Sequence, residues 1–187
     1  MSKKIERKLL QARREALTAQ EVSSNSELIA KRIFAHELFK KAHTIMGYLA
    51  FGKEASIDLV LQQALAGDKI VCVPQVVYGS NFMQAVRLRE MGNMCLDRFS
   101  IRTPKEPYEI ISPETVDLIL VPGVGFTKFG ARMGMGKGYY DRFLPQATQA
   151  ATMGVAHAIQ VVDEISIDEY DINVQYLVTE KSLVACK

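Results

Sequence analysis

The chain has 187 residues, 48% of them hydrophobic, enough to bury a sizeable core in a single domain spanning 1–187. A net charge of +2 excludes a globally basic nucleic-acid surface or a membrane-attracted one, so any anion site must be built locally. Three scattered cysteines, Cys72, Cys95 and Cys186, form no C-x-x-C pair and predict reduced thiols in a cytoplasmic setting, with no apolar leader and no run of the roughly 18 apolar residues a bilayer crossing needs.

From about Lys3 to Leu17 the spacing predicts a helix. Ile5, Leu9, Ala12 and Ala16 form one apolar face. Lys3, Arg7 and Arg14 fall on the opposite face together with Leu10 and Leu17, so that basic stripe does not simply face water. Thr18 and Glu21 fit a capping box, as do Ser24 and Glu27, and either pair can start a second helix that ends near Lys41. Thr44 to Ala50 reads as a strand. Ser56 or Asp58 then caps a helix reaching Leu65 and stopping at Gly67. Lys69 to Val73 reads as a second buried strand, ended by Pro74. Strand, helix and strand in this order imply a parallel pair joined by a crossover.

Asn81 to Leu88 reads as a strand, and 92–113 is rich in turns. Val116 to Val121 is a strongly apolar strand. A glycine-rich loop from Pro122 to Gly138 leads into a helix starting at Tyr139. Thr152 to Ala156 and Tyr176 to Thr179 complete the strands. This alternation predicts an α/β fold, a three-layer α/β/α domain with a mostly parallel central sheet.

The chemistry concentrates in the loop after the 116–121 strand. It lies at the carboxyl end of a strand, where open α/β sheets bind ligands. Gly134, Gly136 and Gly138 alternate with Met135 and Lys137, which lets backbone N–H groups approach phosphate oxygens without a Cβ in the way. The following helix adds its positive end, and Arg132 and Lys137 add full charges. Neither the P-loop pattern nor the G-x-G-x-x-G dinucleotide pattern fits. Asp141, in the first turn of the helix, either complements the helix dipole or holds Mg²⁺ together with substrate phosphates. His36, His43 and His157 are isolated and read as structural or exposed. No Ser-His-Asp order suggests a nucleophile. Aromatic residues do not interleave with the basic first helix, which argues against an RNA-binding role. On the residues alone, a non-catalytic phosphate-ligand-binding module stays open beside an enzyme.

Arg132-Met-Gly-Met-Gly-Lys-Gly-Tyr-Tyr-Asp-Arg142 resembles the R-L-G-[FY]-G-[GK]-G-Y-Y-D-R signature of the 5-formyltetrahydrofolate cyclo-ligase family, also called methenyltetrahydrofolate synthetases. The likeness runs in order from Lys3 to Glu180. It takes in Lys3-x-x-x-Arg7, Tyr48 to Glu54, Val73-Pro-Gln, Val155-Ala-x-x-x-Gln160 and Asp171…Leu177-Val-Thr-Glu180. It implies an ATP-dependent cyclisation of 5-formyltetrahydrofolate to 5,10-methenyltetrahydrofolate, with small-molecule partners only, ATP and a reduced folate, and Mg²⁺ as cofactor.

In that family reading Lys3, Arg7, Arg132 and the loop Gly134, Met135, Gly136, Lys137 and Gly138 contact ATP, with Tyr139 at its edge. Arg132 and Lys137 act on the transferring phosphoryl group, and Asp141 binds Mg²⁺. Glu54, Tyr139 and Tyr140 contact the folate. Two positions depart from the family pattern. Thr103, within Ser100-Ile-Arg-Thr-Pro104, stands where Glu is expected, and Gln75 stands where Arg or Lys is common. Thr103 raises an alternative, a related ligase acting on another N-formyl or pterin-like substrate.

Overall fold

The computed structural model describes residues 2–77, 79–97 and 101–186, so Ser100 lies outside the described residues. Helix α1 spans Lys3–Glu15, α2 Ala19–Ala35 and α3 Glu37–Lys41. Thr18 and Glu21 form the reciprocal capping box that starts α2, whereas Ser24 and Glu27 lie inside that helix. The expected continuous helix to Lys41 is broken at His36. Its backbone is extended, and its ring Nδ1 accepts from the Leu38 N–H at 3.3 Å, restarting the helix.

Strand β1 covers Thr44–Met46, shorter than the expected run to Ala50. Helix α4 (Asp58–Ala66) carries the chain to β2 (Ile70–Val76), which pairs parallel with β1 from Thr44↔Ile70 to Met46↔Cys72. β2 continues through Pro74. That residue still pairs with Ala85 of β3 but comes after the last β1 partner, so its missing N–H costs no bond to β1. β3 (Met83–Leu88) returns antiparallel to β2. The 92–113 region holds two short strands, β4 (Met94–Leu96) and β5 (Arg102–Pro104), paired with each other, and β6 (Ile110–Ile111), paired with β3.

The apolar 116–121 run becomes β7 (Leu118–Pro122). The long loop after it is partly ordered into a hairpin of β8 (Gly125–Phe126) and β9 (Arg132–Met133). α5 (Tyr139–Phe143) has only five residues and passes into a 3-10 turn, Leu144–Gln146. β10 (Ala151–Val155), β11 (Tyr176–Val178) and β12 (Leu183–Ala185) complete the sheet. Its order is β12-β11-β10-β7-β1-β2-β3-β6. The strands from β11 to β2 are parallel, and the two margins are antiparallel.

Period-two alternation divides the core into two layers. Ile45, Val71, Val73, Leu118 and Leu120 meet Ile29, Ile33, Phe39, Val60 and Leu61 of α2, α3 and α4. Their sequence neighbours Met46, Cys72, Ile119 and Val121 meet Phe143, Leu144 and Ala147 on the other side. The second helical layer is therefore a thin one. Successive strand residues point to opposite faces, so burying both requires cover on both sides of the sheet.

Helix α1 departs most from expectation. Ile5 and Leu9 are each 52% exposed, and Ala12 and Ala16 are exposed too. The basic stripe turns inward instead. Leu10 packs with Val124 and Met133, and Arg14 is buried. The stripe faces the body of the protein because its cations find partners there, as the site geometry makes plain.

Candidate active site

The parallel strands β1, β7 and β10 deliver three segments to one edge of the sheet: Gly47–Ala55, the β8–β9 hairpin with the glycine loop behind it, and the chain after Val155. α1 lies across these segments, seated on Leu10. Glu6 accepts from the Ser166 N–H at 3.0 and 3.2 Å through its two oxygens. At the other end of the helix, Lys53 Nζ donates to the carbonyls of Glu15 at 2.5 Å and Leu17 at 2.6 Å. Such a cation on terminal carbonyls supplies partners the helix itself cannot. Lys53 is thus a clamp on α1.

Arg7 Nε donates to the Gly134 carbonyl at 2.8 Å. A Cβ on Gly136 would sit 3.2 Å from the Arg7 guanidinium, so the glycine loop and Arg7 pack directly together. Gly136 (φ 91°) and Gly138 (φ 66°) both have left-handed backbone, which glycine adopts without penalty. Gly138 precedes α5. With five residues, that helix offers a few local N–H groups and little of a helix dipole. Met135 and Lys137 are exposed at the loop, and Met135 Sδ accepts from Gln11 of α1 at 3.3 Å.

Arg132, only 4% exposed, donates through Nη2 to Asp141 Oδ1 at 2.5 Å. Its guanidinium carbon lies 5.6 Å from the Tyr140 ring centroid, a cation–π contact. Asp141 Oδ1 also accepts from the Ile172 N–H at 3.4 Å. Lys3 pairs with Asp168 at 2.8 Å and with Asp171. Tyr139 packs on the second core layer with Arg142 over its ring at 5.8 Å. Burial, then the nearby Glu54 carboxylate, pushes the Tyr140 phenol far above its ordinary range, so its hydroxyl stays a donor.

Glu54 lies at the other end of α1. Its Oε1 accepts from Arg14 Nη1 at 3.3 Å, and its Oε2 from the Phe51 N–H at 3.0 Å. Burial holds this carboxyl above the usual range, against the Phe51 hydrogen bond and Arg14. Thr103 lies in β5 opposite Cys95, and the neighbouring Arg102 grips Asp58 with two bonds of 2.7 and 2.9 Å. Gln75 accepts from Gln84 at 3.1 Å. His157, read as structural or exposed, is fully buried between Asn25 and the Lys53 carbonyl, and burial lowers its pKa.

Four buried side-chain atoms have no hydrogen-bond partner among the described residues: Arg14 Nε, Arg132 Nε, Tyr140 Oη and Thr103 Oγ1. Native interiors leave very few such atoms. Arg14 is bonded to Glu54, Arg132 to Asp141, and Arg132 lies over the Tyr140 ring. Arg14 was not among the expected site residues. The signal for it was its place on the same helical stripe as Leu10 and Leu17.

Cations on α1 and β9, the glycine loop and orphaned buried polar atoms at the carboxyl edge of a mostly parallel sheet are the features of an α/β enzyme, a fold that holds ligands in the crevice outside its strand ends. The chain belongs to the 5-formyltetrahydrofolate cyclo-ligase family, whose model matches residues 1–180. It is 32% identical to the mouse 5-formyltetrahydrofolate cyclo-ligase over 184 residues, 92% of this chain and 91% of that one. With the Escherichia coli K12 5-formyltetrahydrofolate cyclo-ligase it shares 26% identity over 175 residues, 91% and 96% of the two chains. The NMR structure of Aquifex aeolicus 5,10-methenyltetrahydrofolate synthetase superposes with a TM-score of 0.87 at 32% identity, covering 100% of this chain and 94% of that one. Membership makes the chain a ligase that acts on a folate.

Proposed function

We propose that this chain uses ATP to convert 5-formyltetrahydrofolate to 5,10-methenyltetrahydrofolate, releasing ADP and phosphate. The observation that carries the reading is the set of orphaned polar atoms on Arg14, which is bonded to Glu54, and on Arg132 and Tyr140, which flank the glycine loop in the chain. Buried atoms of this kind await a ligand or an ordered water.

A formyl oxygen bound to an amide-like carbon is a poor leaving group. Its attack on the γ-phosphorus of ATP breaks the bond to the β,γ-bridging oxygen, and ADP departs with the electron pair. N10 then attacks the activated carbon and loses its proton. Phosphate leaves with the carbon–oxygen electrons as the ring closes. Phosphoryl transfer needs positioning and charge neutralisation more than a protein nucleophile.

In this reading Arg7, Arg132, Lys137, Lys3 and the N–H groups of the Gly134–Gly138 loop hold the triphosphate. Tyr139 sits at its edge. Glu54 and Tyr140 face the folate, whose pterin offers an amino group and a ring N–H to a carboxylate. Lys3 must exchange carboxylate partners for phosphate to serve.

No group of three or more His, Cys, Asp or Glu side chains is placed to hold a metal among the described residues. Mg²⁺ suits such a site all the same, because it commonly takes one or two carboxylates and draws its other ligands from phosphates and water. Asp141 Oδ2 has no hydrogen bond among the described residues, and Asp141 is the residue that would hold the ion. Bound Mg²⁺ would supply further neutralisation of the triphosphate.

The test is absorbance of the methenyl-folate band with 5-formyltetrahydrofolate, with and without ATP. Growth of the band only with ATP supports the proposal. Binding without turnover would favour a non-catalytic module, and turnover of a different N-formyl compound alone would favour another substrate.

A further inference from the structure

Arg14 sits in the last turn of α1 and is 3% exposed. Arginine rarely buries its head group without a partner that needs it there. Nη1 lies 3.3 Å from Glu54 Oε1, Nη2 lies 3.7 Å from Glu15 Oε1, and Nε is buried without a partner. On the other side of Glu54, the Phe51 N–H fixes Oε2 at 3.0 Å. The carboxylate is thus held at one oxygen by the backbone and at the other by a single buried cation.

Among the described residues, the other titratable groups around this pair supply Glu54 with no second cation. Tyr48 and Tyr140 face Glu54 as neutral phenols, both held well above their ordinary range by burial first. His157, on the Arg14 side, is driven toward its neutral form by burial. Asp58, near Tyr48, is paired with Arg102, and Lys53 is engaged by the carbonyls of Glu15 and Leu17.

We propose that Arg14 is a positioning residue for Glu54, keeping that buried carboxylate ionised and aimed into the crevice so that it can accept the hydrogen bonds of the pterin. This rests on the reading of Glu54 as a folate contact. A carboxylate taken out of water reverts to its neutral form unless a cation or N–H donors hold it. Burial already raises the Glu54 carboxyl, and Arg14 opposes that rise. Loss of Arg14 therefore raises it further, and the carboxylate disappears at a higher pH as the solution is acidified. Lysine at this position keeps the charge but not the forked reach, so it restores function in part.

The experiment combines Arg14→Gln, Arg14→Lys, Glu54→Gln and the Arg14→Gln/Glu54→Gln double variant. The Glu54 carboxyl carbon is titrated by NMR in the ligand-free protein, its resonance assigned by its loss in Glu54→Gln. In Arg14→Gln the Glu54 titration is expected to move up by about one pH unit or more. The acid limb of kcat/KM for the folate is expected to move with it, while KM for ATP stays within about twofold.

Arg14→Lys is expected to fall between wild type and Arg14→Gln, and the double variant to be no worse for folate than Glu54→Gln alone, because the two residues act as one unit. If Arg14→Gln does not fold, Arg14→Lys carries the same titration and kinetics. An unmoved Glu54 titration overturns the proposal. So does a pH-independent loss shared equally by ATP and folate. Normal folate kinetics in Arg14→Gln alongside defective Glu54→Gln overturns it while leaving Glu54 in the site. Normal folate kinetics in Glu54→Gln removes the folate reading and this inference with it.

Discussion

At the scale of single residues, three of the site cations are held by carboxylates of the protein itself: Arg132 by Asp141, Lys3 by Asp168 and Asp171, Arg14 by Glu54. This makes the Asp141 assignment testable. Asp141→Asn is expected to raise the Mg²⁺ concentration for half-maximal rate by about tenfold or more, about 1.4 kcal/mol, with the fold unchanged by circular dichroism. An unaltered Mg²⁺ dependence would remove Asp141 from the metal site. Arg132→Ala and Lys137→Ala are expected to act on KM for ATP or on kcat; a change confined to folate affinity would mean that the glycine loop holds the folate instead. His157 gives a pH prediction. Its folded pKa is depressed by burial, so the unfolded state binds more protons and stability falls as pH drops below about 6.5, at up to about 1.4 kcal/mol per pH unit. Denaturant unfolding of His157→Asn is expected to lack that slope just below neutrality. An identical slope in the variant would place the acid sensitivity elsewhere.

At the scale of elements, α1 brings the two halves of the site together, with Arg7 against Gly134 and Arg14 against Glu54. Deleting residues 1–8 is expected to raise KM for ATP by about tenfold or more, since it removes Lys3 and Arg7. Stability should fall by only about 1–2 kcal/mol, because Ile5 is exposed and Leu10 remains. Normal ATP kinetics in the truncated protein would return the basic stripe to solvent. Gly136→Ala is a sharper probe of the same contact. The left-handed backbone costs a Cβ about 1–2 kcal/mol, and that Cβ would press on Arg7. Weaker ATP binding with an intact fold is expected.

The inward turn of this helix was half legible from sequence. Leu10 and Leu17 on the basic stripe signalled that it did not face water. Ile5, Leu9, Ala12 and Ala16 nevertheless looked like the packing face, because periodicity counts apolar residues and cannot see that Glu54, 40 positions further on, is placed to take Arg14 inward. The end of α5 was not legible for a similar reason: Tyr139, Phe143 and Leu144 have helical spacing, but Pro145 sits in the turn that ends it.

At the scale of the whole molecule, the layered architecture was readable because β7 and its neighbours are apolar on both faces, the mark of a sheet covered on both sides. β12 and the β8–β9 hairpin were not readable. Strands of two or three residues carry no periodic signal, and β12 exists because β11 offers it an open edge. The crevice assembles from segments far apart in the chain, near positions 3–14, 54 and 132–141. Only the glycine loop announces itself locally, and the rest of the site came from resemblance to the family. All of it converges on one claim, that ATP activates the formyl oxygen by phosphorylating it. The most direct measurement starts from 5-formyltetrahydrofolate labelled with ¹⁸O in the formyl group, turned over with unlabelled ATP. The account predicts that the label appears in inorganic phosphate, one atom for each methenyl product formed. Label recovered in water, with none in phosphate, would contradict it.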